Sequence, residues 1–300
     1  MSEFILLGLC PLLGWLAMRL QWFPDNASAV FNAWLMRIAL PSVILIQIPK
    51  LHFDARMLLP ALGPFVLMLS TIALMAVLAR RYRWDRGTQG AMTLCWGAGN
   101  TSFVGFPLLL AVIGPSALGP AVIADQATFF NVTLIGLPVA AYFAGRSASP
   151  LELVKRVLSF VPFQAMLLAG ALKLAGFVWL PQTETVLQRL AETLTPIALF
   201  SVGFQLRLNE LRRHLPLVGI GALWKMITLP ALMWGGALLM GVQGLPITVG
   251  ILQIAMAPMI TAGIIAEDHG LNPPASNAMI SVGIALSFVT VPIWYWLIGS

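Results

Sequence analysis

Two stretches of this chain set polar side chains among helix-breaking residues inside runs that are otherwise apolar. The first is Gly97-Ala98-Gly99-Asn100-Thr101-Ser102-Phe103-Val104-Gly105-Phe106-Pro107. The second is Gln253-Ile254-Ala255-Met256-Ala257-Pro258-Met259-Ile260-Thr261-Ala262-Gly263. Proline deletes a backbone donor and clashes with the preceding turn, and glycine weakens a helix by about 1 kcal/mol. A break at mid-membrane depth leaves N–H and C=O groups that only protein or a watery cavity can satisfy. An ordinary kinked span accounts for the Gly and Pro, but not for the Asn-Thr-Ser cluster beside them. Two helices broken near the midplane turn half-helix N-termini, with their partial positive charge, toward one cavity. Such dipoles, together with amide donors, suit an anionic group, above all a carboxylate. Asn100, Thr101, Gly105 and Pro107 in the first stretch, and Gln253, Pro258, Met259 and Thr261 in the second, are therefore the candidate substrate-binding residues. Asn131, in the next apolar segment, joins them. For Gln253 alone, an interhelical hydrogen bond is the alternative role.

Ionisable residues within apolar segments are costly in lipid and are functional by default. Asp125 stands beside Gln126 and six residues before Asn131. It is a candidate to carry a coupling proton or to hold a cation, with helix capping or packing as the alternative. Lys225 can serve as a buried cation that balances substrate charge. Arg37 can partner a carboxylate or backbone carbonyls. Arg189 and Glu192 lie three apart on one helical face and are expected to pair. Lys173 is close enough to a span end to snorkel. Enzymatic chemistry finds little support: His52, His214 and His269 all fall in loops, and HExxH, paired membrane aspartates and a Gly-rich loop ending in Lys-Ser or Lys-Thr are missing. Cys10 and Cys95 form neither a disulfide framework nor a metal spacing. No cofactor is expected beyond H⁺ or Na⁺ as a coupling ion.

The elements that must position these residues are membrane spans. The chain is 59% hydrophobic and 9% charged, where soluble domains carry about 25% charged residues. Its apolar runs are long and continuous, unlike the short alternating strands of a membrane barrel. Ten helices are expected, at roughly 4–20, 27–49, 57–79, 88–113, 119–144, 155–179, 185–206, 214–240, 246–267 and 275–298. Met1-Ser2-Glu3 lacks the positive region of a signal peptide, so the first run reads as a retained helix. Trp15, Trp22, Trp84, Trp179, Trp294 and Trp296 fall near span ends as interface anchors.

Loop charge sets orientation. The odd-numbered loops hold Arg19; Arg80, Arg81, Arg83 and Arg86; Arg146, Lys155 and Arg156; and Arg207, Arg212 and Arg213. The even loops hold only Lys50 and Arg56. This bias makes the odd loops cytoplasmic and puts both termini on the outer side. The net charge of +6 is spread over these short loops, which argues against nucleic acid as a partner. Five spans precede the loop 145–156 and five follow it, so residues 1–144 and 157–300 are expected to be inverted repeats. Pro41 and Pro196, Pro120 and Pro274, and Pro138 and Pro292 recur at an offset of 154 or 155. The two interrupted spans occupy corresponding positions in the halves, which is the best sequence pointer to a transporter binding site.

At these residues the sequence resembles the auxin efflux carrier family, which includes bacterial organic-acid permeases and PIN-type plant carriers. The resemblance is carried by Asn100-Thr101 with Gly105-Phe106-Pro107, and by the stretch from Gln253 through Pro258 to Glu267-Asp268-His269-Gly270-Leu271-Asn272-Pro273. Arg37-Ile38-Ala39-Leu40-Pro41 and Thr195 through Gly203 fit as well. The resemblance covers essentially the whole chain. It implies an all-α fold of two inverted five-helix repeats, related to bile-acid sodium symporters and of the bile/arsenite/riboflavin transporter type. In that fold spans four and nine unwind and cross at their prolines, substrate binds beside the crossing, and a scaffold half and a transport half move against one another. Asn100 matches the family's substrate-binding asparagine, and Gln253 and Pro258 match its glutamine and proline of span nine. Where plant carriers have Pro-Asn-Thr this chain has Gly99-Asn100-Thr101, and their long cytoplasmic loop is absent. The resemblance therefore implies a permease of a bacterial inner membrane, with a homodimer as the candidate assembly in the bilayer. The expected function is secondary transport of a small organic anion by alternating access. A channel, or a membrane sensor built on a transporter fold, is the alternative.

Overall fold

The computed structural model describes residues 2–206 and 211–299, so Arg207 of the seventh loop lies outside the described residues. Every described element is a helix or a helical turn, apart from one isolated bridge between Gly99 and Pro258. Among the described residues, five helices are long and apolar enough to cross a membrane unaided: Ala27–Lys50, Ala55–Tyr82, Pro115–Phe143, Arg213–Leu239 and Pro273–Gly299. A bent pair, Pro150–Ser159 with Val161–Leu174, makes a sixth if counted as one span. Phe4–Arg19, Thr101–Val112 and Leu245–Ile254 are apolar but shorter.

Proline shapes these helices locally. Four π-type turns among the described residues, Leu35–Ala39, Thr101–Gly105, Val132–Gly136 and Leu223–Thr228, each end two residues before a proline. Those prolines are Pro41, Pro107, Pro138 and Pro230. A proline ring cannot bond to the carbonyl four residues back and collides with it, so the turn widens instead. The carbonyl thereby freed needs another donor. Before Pro230 it is that of Met226, which accepts the Trp294 indole N–H at 2.7 Å. Trp294 is accordingly 7% exposed and is not the interface anchor its position near a span end predicts. Trp296, by contrast, is 69% exposed.

The chain gathers into two compact units, each drawn from both halves of the sequence. The first comprises Met1–Asp54, Ser102–Val122 and Val157–Leu206. In it, helices Ser2–Arg19 and Leu194–Phe204 touch backbone to backbone, because Gly14 faces the Phe200 carbonyl and Gly203 faces that of Pro11. Small residues give membrane helices this close approach. Phe23, Phe31, Phe200 and Phe204 close one end with edge-on ring contacts, Phe31 to Phe200 at 5.4 Å among them. The Lys173 ammonium donates to the carbonyls of Pro49 and Leu51 at 2.8 and 2.6 Å, satisfying the end of helix Leu40–Lys50. Lys50 pairs with Glu184. The expected Arg189–Glu192 pair does not form: both are exposed, and Glu192 accepts from Gln188 at 3.3 Å, an i,i+4 contact on the same helix.

The second unit comprises Ala55–Thr101, Ile123–Arg156 and Arg207–Ser300. At one end of it Asp85 caps helix Arg86–Gly97, accepting from the Thr88 N–H at 2.9 Å and from the Thr88 hydroxyl at 2.6 Å. Asn272 donates to that hydroxyl at 2.9 Å and itself accepts from the Ala275 N–H, capping helix Pro273–Gly299. Arg86 donates to the Tyr142 carbonyl at 2.7 Å. The start of Arg86–Gly97 thus meets the end of Leu137–Phe143 and the start of Pro273–Gly299. The stretch 145–156, expected as a loop, contains most of helix Pro150–Ser159. Leu151, Val154 and Leu158 on that helix are exposed, 76% for Leu151. With Lys155 and Arg156 in the same ten residues, it has the composition of a helix lying in a membrane interface. It ends before Phe160, which is extended, and Pro162 lies in the first turn of the next helix, Val161–Leu174.

Candidate functional site

Helix Arg86–Gly97 stops where Ala98 turns extended, and the chain becomes helical again at Thr101. Helix Leu245–Ile254 ends in a turn at Ala255, which keeps αR angles, and helix Ile260–Asp268 begins after the extended Met259. The two breaks lie side by side as a short antiparallel pairing of Gly99 with Pro258. The Asn100 N–H donates to the Ala257 carbonyl at 2.7 Å, and the Met259 N–H donates to the Ala98 carbonyl at 3.1 Å. Each broken helix therefore satisfies backbone groups that the other exposes, as burial of a backbone demands.

Two glycines permit this approach. A side chain at Gly283 would fall on the Pro258 ring, so the helix Pro273–Gly299 can lie flush against the crossing only without a Cβ there. A Cβ at Gly99 would lie 3.1 Å from the Gln253 carbonyl and 3.7 Å from the Lys225 ammonium. Lys225 thus reaches the break from the widened turn Leu223–Thr228.

The polar side chains around the crossing are buried. Asn100 and Thr101 are each 3% exposed, and Asp125, Gln126, Asn131 and Gln253 are buried too. The Thr101 hydroxyl donates to Asp125 Oδ1 at 2.6 Å, while Gln126 Nε2 stands 3.5 Å from Oδ2. Gln253 Nε2 reaches the Thr101 carbonyl at 3.5 Å. Asn131 donates to the carbonyls of Pro64 and Gly97 at 3.0 and 3.2 Å, tying helix Leu58–Tyr82 to the end of Arg86–Gly97. The second unit thus brings Asn100, Thr101, Asp125, Asn131, Gln253 and Pro258 together, with Met259 and Thr261 opening the helix that follows. Gly105 and Pro107 lie farther along, in the first unit: Gly105 ends a π-type turn and Pro107 sits in the first turn of Phe106–Val112. The break after helix Arg86–Gly97 thus falls at Ala98–Asn100, around Gly99, and not at Pro107.

Lys225 is the residue whose place at this site the sequence could not show, since nothing in its local apolar context links it to Gly99, more than a hundred positions away. A separate cavity of about 690 Å³ in the second unit is lined by Arg80, Gln89, Thr93, Leu134 and Tyr142, and no residue of the crossing lines it. No group of His, Cys, Asp and Glu among the described residues could hold a metal ion.

The model of a family described as Membrane transport protein matches this chain twice, over residues 4–149 and 149–295. An uncharacterized transporter of Methanothermobacter thermautotrophicus is 25% identical over 289 residues, which is 94% of this chain and 93% of the relative. An uncharacterized transporter of Methanocaldococcus jannaschii is 23% identical over 282 residues, 91% of each chain. A Rhizobium meliloti protein named "Putative malonate transporter" is 24% identical over 298 residues, 96% of this chain and 92% of the relative.

Proposed function

The chain belongs to the Membrane transport protein family, the auxin efflux carriers, and from that premise we propose that it is a secondary transporter of a small carboxylate working by alternating access about the crossing. The family and its named relatives are transporters and not enzymes. The observation that carries the reading is the reciprocal pairing of Ala98–Asn100 with Ala257–Met259, walled by buried Asn100, Thr101 and Gln253. Irregular backbone at membrane depth is characteristic of transporter ion and substrate sites. Helix Ile260–Asp268 begins at the crossing and offers the positive end of its dipole to an anion.

In this reading ten spans form two inverted repeats of five, the two family matches corresponding to the halves. Spans four and nine are the broken pair. The protein resides in a cytoplasmic membrane with both termini outside. The second unit, which holds the whole pairing, carries the substrate. Asn100, Thr101 and Gln253 contact the carboxylate, and Asp125, bonded to Thr101, is the group available for H⁺ or Na⁺ coupling. Malonate is the first solute to try, because one relative's name refers to it.

The test is uptake of labelled malonate and a panel of mono- and dicarboxylates into proteoliposomes, beside Asn100→Ala. Saturable uptake lost in the variant supports the reading. Unitary currents would point to a channel, and a protein that moves no carboxylate in either direction would refute the proposal. Asp125→Asn, measured with and without pH and Na⁺ gradients, tests coupling: unchanged gradient dependence removes Asp125 from that role.

A further inference from the structure

The four lysines of this chain are Lys50, Lys155, Lys173 and Lys225. Lys50 pairs with Glu184, Lys155 is exposed on the helix Pro150–Ser159, and Lys173 donates to two backbone carbonyls. Lys225 does none of these. It is 0% exposed, and its Nζ has neither a hydrogen-bond acceptor nor a carboxylate within ion-pair distance among the described residues. Its surroundings are the backbone of Gly99 and, within electrostatic range, the Cys95 thiol, which is hydrogen-bonded to Ser276. The segment that carries it is held firmly: Trp294 bonds the Met226 carbonyl, and the Trp224 indole donates to the Thr71 hydroxyl at 3.0 Å. Gly221, one turn earlier, is packed against the Trp96 ring.

An amine fixed in this way in a low-dielectric interior holds its proton only at a cost unless an anion joins it. The described residues supply no such anion within ion-pair distance, yet the side chain is directed at the place where the chain has unwound around Gly99. The Trp96 indole N–H, on the same helix as Cys95, is a second buried donor with no partner among the described residues. We infer that Lys225 is the selectivity-determining cation of the site: a carboxylate of the substrate completes its ion pair when bound at the crossing. This rests on the transport reading and adds to it a formal charge. Helix dipoles and amides alone would bind polar neutral solutes as well. With Lys225, the site prefers an anion over the neutral solute of equal size, and one carboxylate with this lysine makes a net-neutral pair that moves with the second unit.

The experiment compares malonate, acetate and the neutral isosteres malonamide and acetamide, by calorimetric titration of purified wild type, Lys225→Met and Lys225→Gln. Removing one partner of a buried, hydrogen-bonded charge pair weakens binding at least about thirtyfold. The expected result is that loss for the carboxylates in both variants, with the affinities for the amides unchanged or improved. Lys225→Met without ligand is also expected to unfold at or above the wild-type temperature, since an uncompensated charge has been removed. Carboxylate affinities within twofold of wild type in both variants would overturn the inference while leaving the transport reading standing. If wild type binds none of the carboxylates, both fall together. If neither variant folds, the lysine is a structural group and the inference falls alone.

Discussion

Asn131 lends itself to a quantitative test because its two bonds can be removed with little else. Its Nδ2 bridges the carbonyls of Pro64 and Gly97, while its Oδ1 has no partner among the described residues. Asn131→Ala therefore deletes two interhelical bonds and leaves two buried acceptors behind. Hydrogen bonds between membrane helices are worth about 0.6 kcal/mol on average and about 1.7 kcal/mol at most. Two of them, with the small cavity left by the truncation, give an expected loss of about 1–3 kcal/mol. Gly97 ends the helix that leads into the break, so the loss should also loosen the pairing of Asn100 with Ala257. The assay is thermal unfolding in detergent, followed by the fluorescence of the ten tryptophans, with malonate uptake measured in parallel. Asn131→Asp is the control of equal size: it replaces the donor by an acceptor facing two carbonyls and should be worse than alanine. A midpoint for Asn131→Ala within a degree of wild type, with normal uptake, would show that the two carbonyls are satisfied otherwise and would refute the reasoning.

Further outcomes follow from other contacts. Gly283→Ala puts a methyl group onto the Pro258 ring and should cost about 1–3 kcal/mol by overpacking and impair uptake, whereas Gly236→Ala, with nothing within 4 Å of its added carbon, should be neutral or stabilising. Lys173→Met removes the donor for the Pro49 and Leu51 carbonyls and should lower thermal stability without changing carboxylate affinity, the reverse of the pattern expected at Lys225. Asp85→Ala removes the cap of helix Arg86–Gly97 at a cost of about 1 kcal/mol, read in the same melts. The Asp85 carboxyl is held below the ordinary carboxylate range: partial burial raises it, but the hydrogen bonds from the Thr88 hydroxyl and from the N–H groups of Thr88, Asp85 and Gly87 together outweigh burial. A depressed pKa contributes stability that is present above the unfolded value of about 3.9 and is lost as pH falls through the folded one. The difference between wild type and Asp85→Ala should therefore shrink only on acidification below about pH 4; a difference that vanishes near neutrality would contradict the cap.

Composition alone determined the class of this protein, because burying so apolar a chain requires lipid, and lipid requires helices whose backbone bonds are internal. The two breaks were legible for an equally local reason: Gly99 and Pro258 weaken helices wherever they occur, and the polar residues beside them are conspicuous in apolar runs. Pro107 shows the limit of such reading. Its effect is to widen the turn before it, and the break fell at Gly99, where helix Leu245–Ile254 and its continuation offered backbone partners that no local pattern contains. Trp294 looked like an anchor until the fold brought Met226 to its indole. Arg189 and Glu192 have the spacing of a pair, but exposed charges gain too little from pairing to hold two long side chains in place. Lys225 was visible as a buried cation, and only the tertiary structure could decide what surrounds it. Whether a buried charge is paired depends on groups brought from distant parts of the chain, and here the described residues bring Gly99 and no carboxylate within ion-pair distance.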